Sequence, residues 1–429
     1  MSRSNFATLA EKVMKLSVAD DVTVGFSHKV ENTTRFAESR ITQNLSRKVA
    51  HLTVKVAFGC KKGSSDTTDL TEEGIGEAVR RAEDMAKHAH EDPEYVSPLG
   101  AQEYPQVPDR FYPETAEASP DLRAEAVKSM VSEAFKAGMS AAGRFVTGQQ
   151  SLGWATNKGL FAFHSHSFTE GVMTAIAEDS SGYAHQAAEN LRDISSAMIA
   201  ETAVRKAEMG RNPIELEPGH YTVILEPLAL ADLLVYMFYL MDARPADEGR
   251  SFFTGKLGQK IFDERLTLVS NPTDPANPAA PFLEDGIPAS PLVIAEKGVL
   301  KSLFYDLVWA AQKGVQPTGR RRFCTFSGGE GTVDDLLKRV ARGVLVTRFW
   351  YVRHVDPMKV LITGMTRDGT YLVEDGKMVK AVRNLRFNDS PVQVLSGVKD
   401  VGEPVRTHMS FRVPPVVVEE FNFASGTLF

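Results

Sequence analysis

Cysteine is nearly missing from this chain: Cys60 and Cys324 are the only two in 429 residues. They form no CxxC pair and are too few for a disulfide scaffold, so both are expected to be reduced and structural. Long apolar runs are missing too. The longest, Leu228 to Met241, is interrupted by Asp232 and as a helix spans about 21 Å, short of the ~30 Å hydrocarbon core, so it is expected to be a buried helix and not a membrane span. The opening MSRSNFATLAEKVMKLSVADD lacks the apolar core of a signal peptide, which makes a cytoplasmic location the expectation. Positive charge is not in excess, with Lys+Arg 49 against Asp+Glu 55 and a formal net charge of -6. The basic residues are scattered, so no footprint for nucleic acid is visible. No GxSxG elbow occurs, and no Ser, His and Asp fall into a supported catalytic order.

What is present suits packed cores: 43% of the residues are hydrophobic, and the length leaves room for two to four domains. Residues 4 to 17 carry a helical apolar stripe, and VTVGFSHKV, TTRFAESRITQNLS and KVAHLTVKVAFGCKKGSSD alternate as a strand meander. A helix over 73–90 closes this α+β unit, residues 1–92. Prolines 93, 98, 105, 108, 113 and 120 predict an extended connector over 93–120. A second α+β unit, 121–212, opens with Asp121 as N-cap and repeats the order of helix, strands and helix, the last helix over 189–209. The third unit, 213–429, reads as a large, mainly antiparallel β domain with few helices, at 228–241 and at 332–343, where Thr332 is the N-cap and Gly343 lies just past the end. EKG at 296–298 and EDGK at 374–377 read as hairpin turns.

The candidate chemistry is sparse. His164 and His166 leave one face of a strand and could share a metal, although no third ligand is fixed by spacing and a solvent-facing polar row is the favoured reading. His185 and Glu189 stand i, i+4 on a possible helix, as a surface pair before a ligand pair. His88 and His90 lie at a helix C-terminus, where the dipole favours imidazolium. Arg320, Arg321 and Arg322 could clamp a carboxylate, such as a peptide C-terminus or the acidic surface of a partner, with a solvated charge run as the alternative. Those arginines could lower the pKa of Cys324, but no His is placed beside it. SGGEG at 327–331 lacks the Lys-Ser/Thr of a P-loop and reads as a flexible loop.

The segments AVRKAEMGRNPIELEPGHYTVILEPLALADLL (203–234), GRSFFTGKLGQKIFDERLTLVSNP (249–272) and GVLKSLFYDLVWAAQKGVQPTGR (298–320) resemble the TldD/PmbA family of peptidase subunits. VDDLLKRVARGVLVTRFWYVRHVDPMKVLITGMTRDGTYLVEDGKMVKAVRNLRF (333–387) continues the resemblance. In the zinc-bearing TldD branch the helix after the EP turn carries HExxxH, and a downstream Cys completes the metal site. The six aligned positions here are Val235, Tyr236, Met237, Phe238, Tyr239 and Leu240, and SGVKDVGEPVRTHMSFRVPP contains no Cys. Val235, Tyr236 and Leu240 thus stand at degenerate metal positions, which points to the PmbA (TldE) type. The resemblance implies a non-catalytic, metal-free subunit whose partner is a zinc-bearing TldD-like homologue, the pair acting on unfolded or small peptides. Two other readings stay open: a self-sufficient hydrolase, centred for instance on His164 and His166, and a self-associating peptide binder without proteolysis.

Overall fold

The alternating segments of the first unit form a meander in the computed structural model, which describes residues 1–407 and 410–427. Strands β1 (Asp21–Ala37), β2 (Arg40–Phe58) and β3 (Lys61–Thr67) lie between helices α1 (Arg3–Leu16) and α2 (Glu72–His88). The connector runs mostly without regular structure but holds one short helix, α3 (Pro113–Ala116). The order then repeats as α4 (Pro120–Lys136), β4 (Ser140–Thr156), β5 (Phe161–Ile176), β6 (Ser181–Ala188) and α5 (Ser196–Met209). An antiparallel β1–β4 pair joins the two meanders into one six-stranded sheet, β3-β2-β1-β4-β5-β6.

Both halves bury their helices by the same device. A Cβ on Gly63 of β3 would stand 2.2 Å from the Ala82 carbonyl oxygen and 2.5 Å from the Ala86 nitrogen, both in α2. A Cβ on Gly182 of β6 would stand 2.1 Å from the Ala203 carbonyl oxygen and 2.3 Å from the Ala207 nitrogen, both in α5. A glycine facing two alanines one turn apart lets helix backbone touch strand backbone.

Two helix starts and one loop differ here from the sequence reading. Helix α4 is capped by Ser119, whose hydroxyl accepts from the Leu122 N–H, so Pro120 and Asp121 already lie inside it; Pro at the first position costs no hydrogen bond. Helix α5 begins at Ser196 after its Ser195 cap, and the residues from Ser181 to Ala188 are strand, so His185 and Glu189 do not face each other on a helix. The SGGEG segment is pinned: Gly329 donates to the Gly402 carbonyl at 3.0 Å, and a Cβ on Gly328 would meet Pro404 at 2.2 Å.

From Pro213 onward the chain is strand-rich. Its elements in order are β7 (Gly219–Leu225), α6 (Pro227–Phe238), α7 (Ala243–Asp247), β8 (Leu268–Ser270), β9 (Leu292–Glu296), β10 (Val299–Leu300), α8 (Leu307–Lys313), β11 (Cys324–Phe326) and α9 (Val333–Leu337). There follow β12 (Arg342–Asp356), β13 (Leu361–Glu374), β14 (Lys377–Ala381), β15 (Leu385–Asp389), α10 (Pro391–Ser396), β16 (Val398–Val401), β17 (Val405–Arg406), β18 (Phe411–Val413) and β19 (Val416–Gly426). The expectation of few helices is corrected, since α6 to α10 all fall here. Helix α9 ends at Leu337 because the β-branched run GVLVT takes over as β12, and Gly343 lies within that strand.

One sheet here is ordered β10-β9-β8-β11-β18-β17. The other is ordered β12-β7-β19-β15-β13-β14, with β12 also paired to β13, so β12, β7, β19, β15 and β13 close into a ring. Most pairs are antiparallel, while β7–β12 and β11–β18 are parallel. Phe349, Phe387 and Phe421 of the ring strands pack with ring centroids 4.5 to 5.6 Å apart. The turns at Lys297-Gly298 and Asp375-Gly376 have positive φ at both residues, as hairpin turns of this kind require. Among the described residues, no helix is long and apolar enough to cross a membrane.

Candidate functional site: helix α6 and an arginine-lined cleft

Helix α6 starts where Pro227 sets φ at its first turn, and the following run of Leu and Ala favours its interior. Glu226, at the cap, gives its carboxylate to the Lys206 ammonium at 2.6 and 2.9 Å and to the Thr347 hydroxyl at 3.1 Å. Leu230, Leu233, Leu234, Met237 and Phe238 are buried in the main core with β12 and the second sheet, as a helix apolar on nearly every side must be. Asp232 breaks that pattern. Its carboxylate accepts from the Phe349 N–H at 3.0 Å, and burial pushes its pKa up to about 7 against that bond and the charge of Arg348.

The three degenerate positions do not converge. Val235 faces a cleft, together with Phe238 and the exposed Tyr239. Tyr236 turns to β12, where its hydroxyl donates to the Val352 carbonyl at 2.6 Å and its ring meets His354 edge-on at 5.1 Å. Leu240 packs half-buried against the core. A zinc ion needs nitrogen, sulfur or oxygen donors and an open place for water, so this set does not fit one. Among the described residues no three His, Cys, Asp or Glu gather into a group able to hold a metal ion.

The three arginines border the same cleft, about 390 Å³ in volume, with Asp242 and Phe411 completing its lining. Identical in type, they have three different environments. Arg320 clamps Asp242, with Nε 2.9 Å from Oδ1 and Nη2 2.5 Å from Oδ2, and this pairing raises its pKa. Arg321 is 4% exposed, donates to the Thr318 and Ser290 carbonyls, and is lowered by burial to about 10. Arg322 is exposed. A uniformly solvated charge run is therefore not what forms, because the middle side chain turns inward to the Thr318 and Ser290 carbonyls.

His164 and His166 do share a face of β5, their rings 6.0 Å apart, but they are half-buried and not a solvent-facing row. Burial first, and the charge of Arg110 second, push His164 down to about 4 and His166 to about 3, so both are neutral at physiological pH. Burial also raises the pKa of the Cys324 thiol, which removes it as a nucleophile, and the Cys60 thiol is exposed and unbridged. Beside the histidines stands a cluster that the sequence reading missed. Glu189 is gripped by Arg110 from the connector, with Nη2–Oε1 at 2.5 Å, and by Arg406 from β17, with Nη2–Oε1 at 2.7 Å. Burial would raise the pKa of Glu189, but Arg406 and Arg110 together outweigh it and hold it at about 2. These three residues are far apart in sequence, so no spacing could have announced them. The break that Asp232 makes in an apolar run was visible, and its burial was not.

Comparison with known proteins places this architecture. Residues 218–425 match the PmbA/TldA metallopeptidase C-terminal domain, and residues 113–211 match the PmbA/TldA metallopeptidase central domain. A metalloprotease of Methanothermobacter thermautotrophicus is 24% identical over 267 residues, 56% of this chain and 57% of the relative. A metalloprotease TldD homolog of Haemophilus influenzae is 25% identical over 232 residues, 49% of this chain and 46% of the relative. The chain thus spans about half the length of the curated relatives it matches. The crystal structure of TldE from Thermococcus kodakarensis superposes with a TM-score of 0.87 at 19% identity, covering 98% of this chain and 99% of that one. At that identity the superposition shows a common fold.

Proposed function

Because the chain belongs to the PmbA/TldA metallopeptidase family, we propose that it is a metal-free subunit of the PmbA (TldE) type. It acts in the cytoplasm beside a zinc-bearing TldD-like homologue, and the pair hydrolyses unfolded or small peptides. The homologue supplies the ion and the general base. This chain supplies part of the surface that receives the peptide. One observation carries the reading: the α6 positions at which zinc ligands would stand hold Val235, Tyr236 and Leu240, and the last two are already engaged with β12 and the core. The assignment to one branch rests on this donor set, because likeness at about a quarter identity does not separate the branches.

The test is co-expression with an HExxxH-bearing homologue from the same organism, followed by gel filtration, zinc analysis and peptide hydrolysis. The expected outcome is a mixed particle that binds zinc and cleaves peptides, while this chain alone does neither. Stoichiometric zinc on the isolated chain, lost in His164→Ala, would sink the subunit reading, and peptide hydrolysis by that zinc-loaded chain would favour the self-sufficient hydrolase. A particle containing only this chain, with the homologue excluded, would point to the self-associating peptide binder.

A further inference from the structure

Buried guanidinium groups are ordinarily matched by a carboxylate, because an uncompensated buried charge is costly. Arg320, although exposed, is matched in this way by Asp242. Arg321 is not. Its Nε donates to the Thr318 carbonyl at 2.8 Å and its Nη1 to the Ser290 carbonyl at 2.9 Å, while Nη2 makes no hydrogen bond with any described residue. Burial lowers its pKa, and the one carboxylate lining the same cleft, Asp242, is taken by Arg320, so among the described residues no carboxylate pairs with Arg321. Two carbonyls hold the guanidinium plane fixed, and one edge of the fork is left open beside a cleft lined on one side by Val235, Phe238, Tyr239 and Phe411 and on the other by the Arg320–Asp242 pair and Arg322.

Charge and apolar wall lie side by side there, and that pairing narrows the ligand. We propose that the cleft receives the C-terminal carboxylate of a short peptide whose last side chain is apolar, with Arg321 as the charge partner and Val235, Phe238 and Phe411 as the wall for that side chain. A terminal residue carries both groups on one carbon, and the cleft volume of about 390 Å³ is of the size that takes a small ligand. A phosphate dianion would call for a second buried free cation, but Arg320 is already neutralised by Asp242 and Arg322 is exposed to solvent. The carboxylate supplies the partner that Arg321 lacks, in the fork geometry that suits it. This inference rests on the reading of the chain as a peptide-handling subunit and assigns the end of the peptide that it holds.

The experiment uses the full chain, purified alone, and N-terminally labelled hexapeptides ending in Leu-Phe, with binding followed by fluorescence anisotropy. The free acid is expected to bind at least about tenfold more tightly than the same peptide with a C-terminal amide, the loss of one charge-assisted contact. Arg321→Gln, checked for folding by circular dichroism, is expected to abolish the difference between acid and amide. Arg322→Gln is expected to preserve it. Equal binding of acid and amide by the unaltered chain would overturn the proposal, as would binding of neither. Tight binding of an amidated peptide through an internal Glu would also overturn it. The result is separable from the subunit reading: a chain that selects free acids but recruits no zinc-bearing homologue keeps the cleft and loses the partner, and the reverse outcome does the opposite.

Discussion

Asp232 lies three residues before Val235, in a helix otherwise made of apolar side chains. Its folded pKa of about 7 lies above the ~3.9 of an unfolded Asp, so the fold favours the protonated acid. Its contribution to stability is complete below about pH 4 and is lost as pH rises toward 7. Asp232→Asn keeps an acceptor for the Phe349 N–H without the charge. Urea melts should show it more stable than the native chain by about 1–3 kcal/mol at about pH 8, the gap closing near pH 4. A gap of equal size at both pH values would mean that the carboxylate does not titrate in this range. At this scale the sequence told residue types but not surroundings. Arg320, Arg321 and Arg322 read as three equal charges, and only the residues that meet them in the fold separate a paired one, a buried one and a solvated one.

The elements were more legible, because periodicity reports which face of a strand or helix is buried. The meander of β1 to β3, the repeat of its order in β4 to β6 and the position of α6 all follow from apolar spacing. What periodicity could not carry was competition between neighbours. The span read as a 332–343 helix is held by β12 from Arg342 onward, since its β-branched residues find partners in β7 and β13. The two glycines that seat α2 and α5 were also silent in the sequence, being single letters in strands of ordinary polarity. Their role predicts that Gly182→Val costs about 3 kcal/mol or more, because backbone atoms of α5 have nowhere to retreat. Gly138→Ala, at a turn with open space around it, is expected to cost only the strain of a positive φ. Thermal melts of both variants would show whether the close helix-to-strand contact is what matters.

Across the whole molecule, Glu189 joins the connector to β17 through Arg110 and Arg406. Its pKa of about 2 lies below that of a free Glu, so its contribution is present above about pH 4.3 and is lost as pH falls toward 2. Glu170, held at about 2 against burial by His185 and Arg144, titrates in the same window. Acid unfolding should therefore be steep between about pH 4 and 2, and Glu189→Gln should remove part of that dependence. The variant should also lose about 3–5 kcal/mol at neutral pH, since the buried Arg110 and the half-buried Arg406 are left without their acid. The ring of strands has a different consequence, one of time. It needs β7 (Gly219–Leu225) beside β19 (Val416–Gly426), so nearly 200 residues of chain separate two neighbouring strands. The six-stranded sheet, by contrast, is complete once Ala188 has left the ribosome. During synthesis the first sheet can stand folded while α6 waits with its apolar faces uncovered until β19 arrives, and in that interval the helix is open to chaperones and to aggregation.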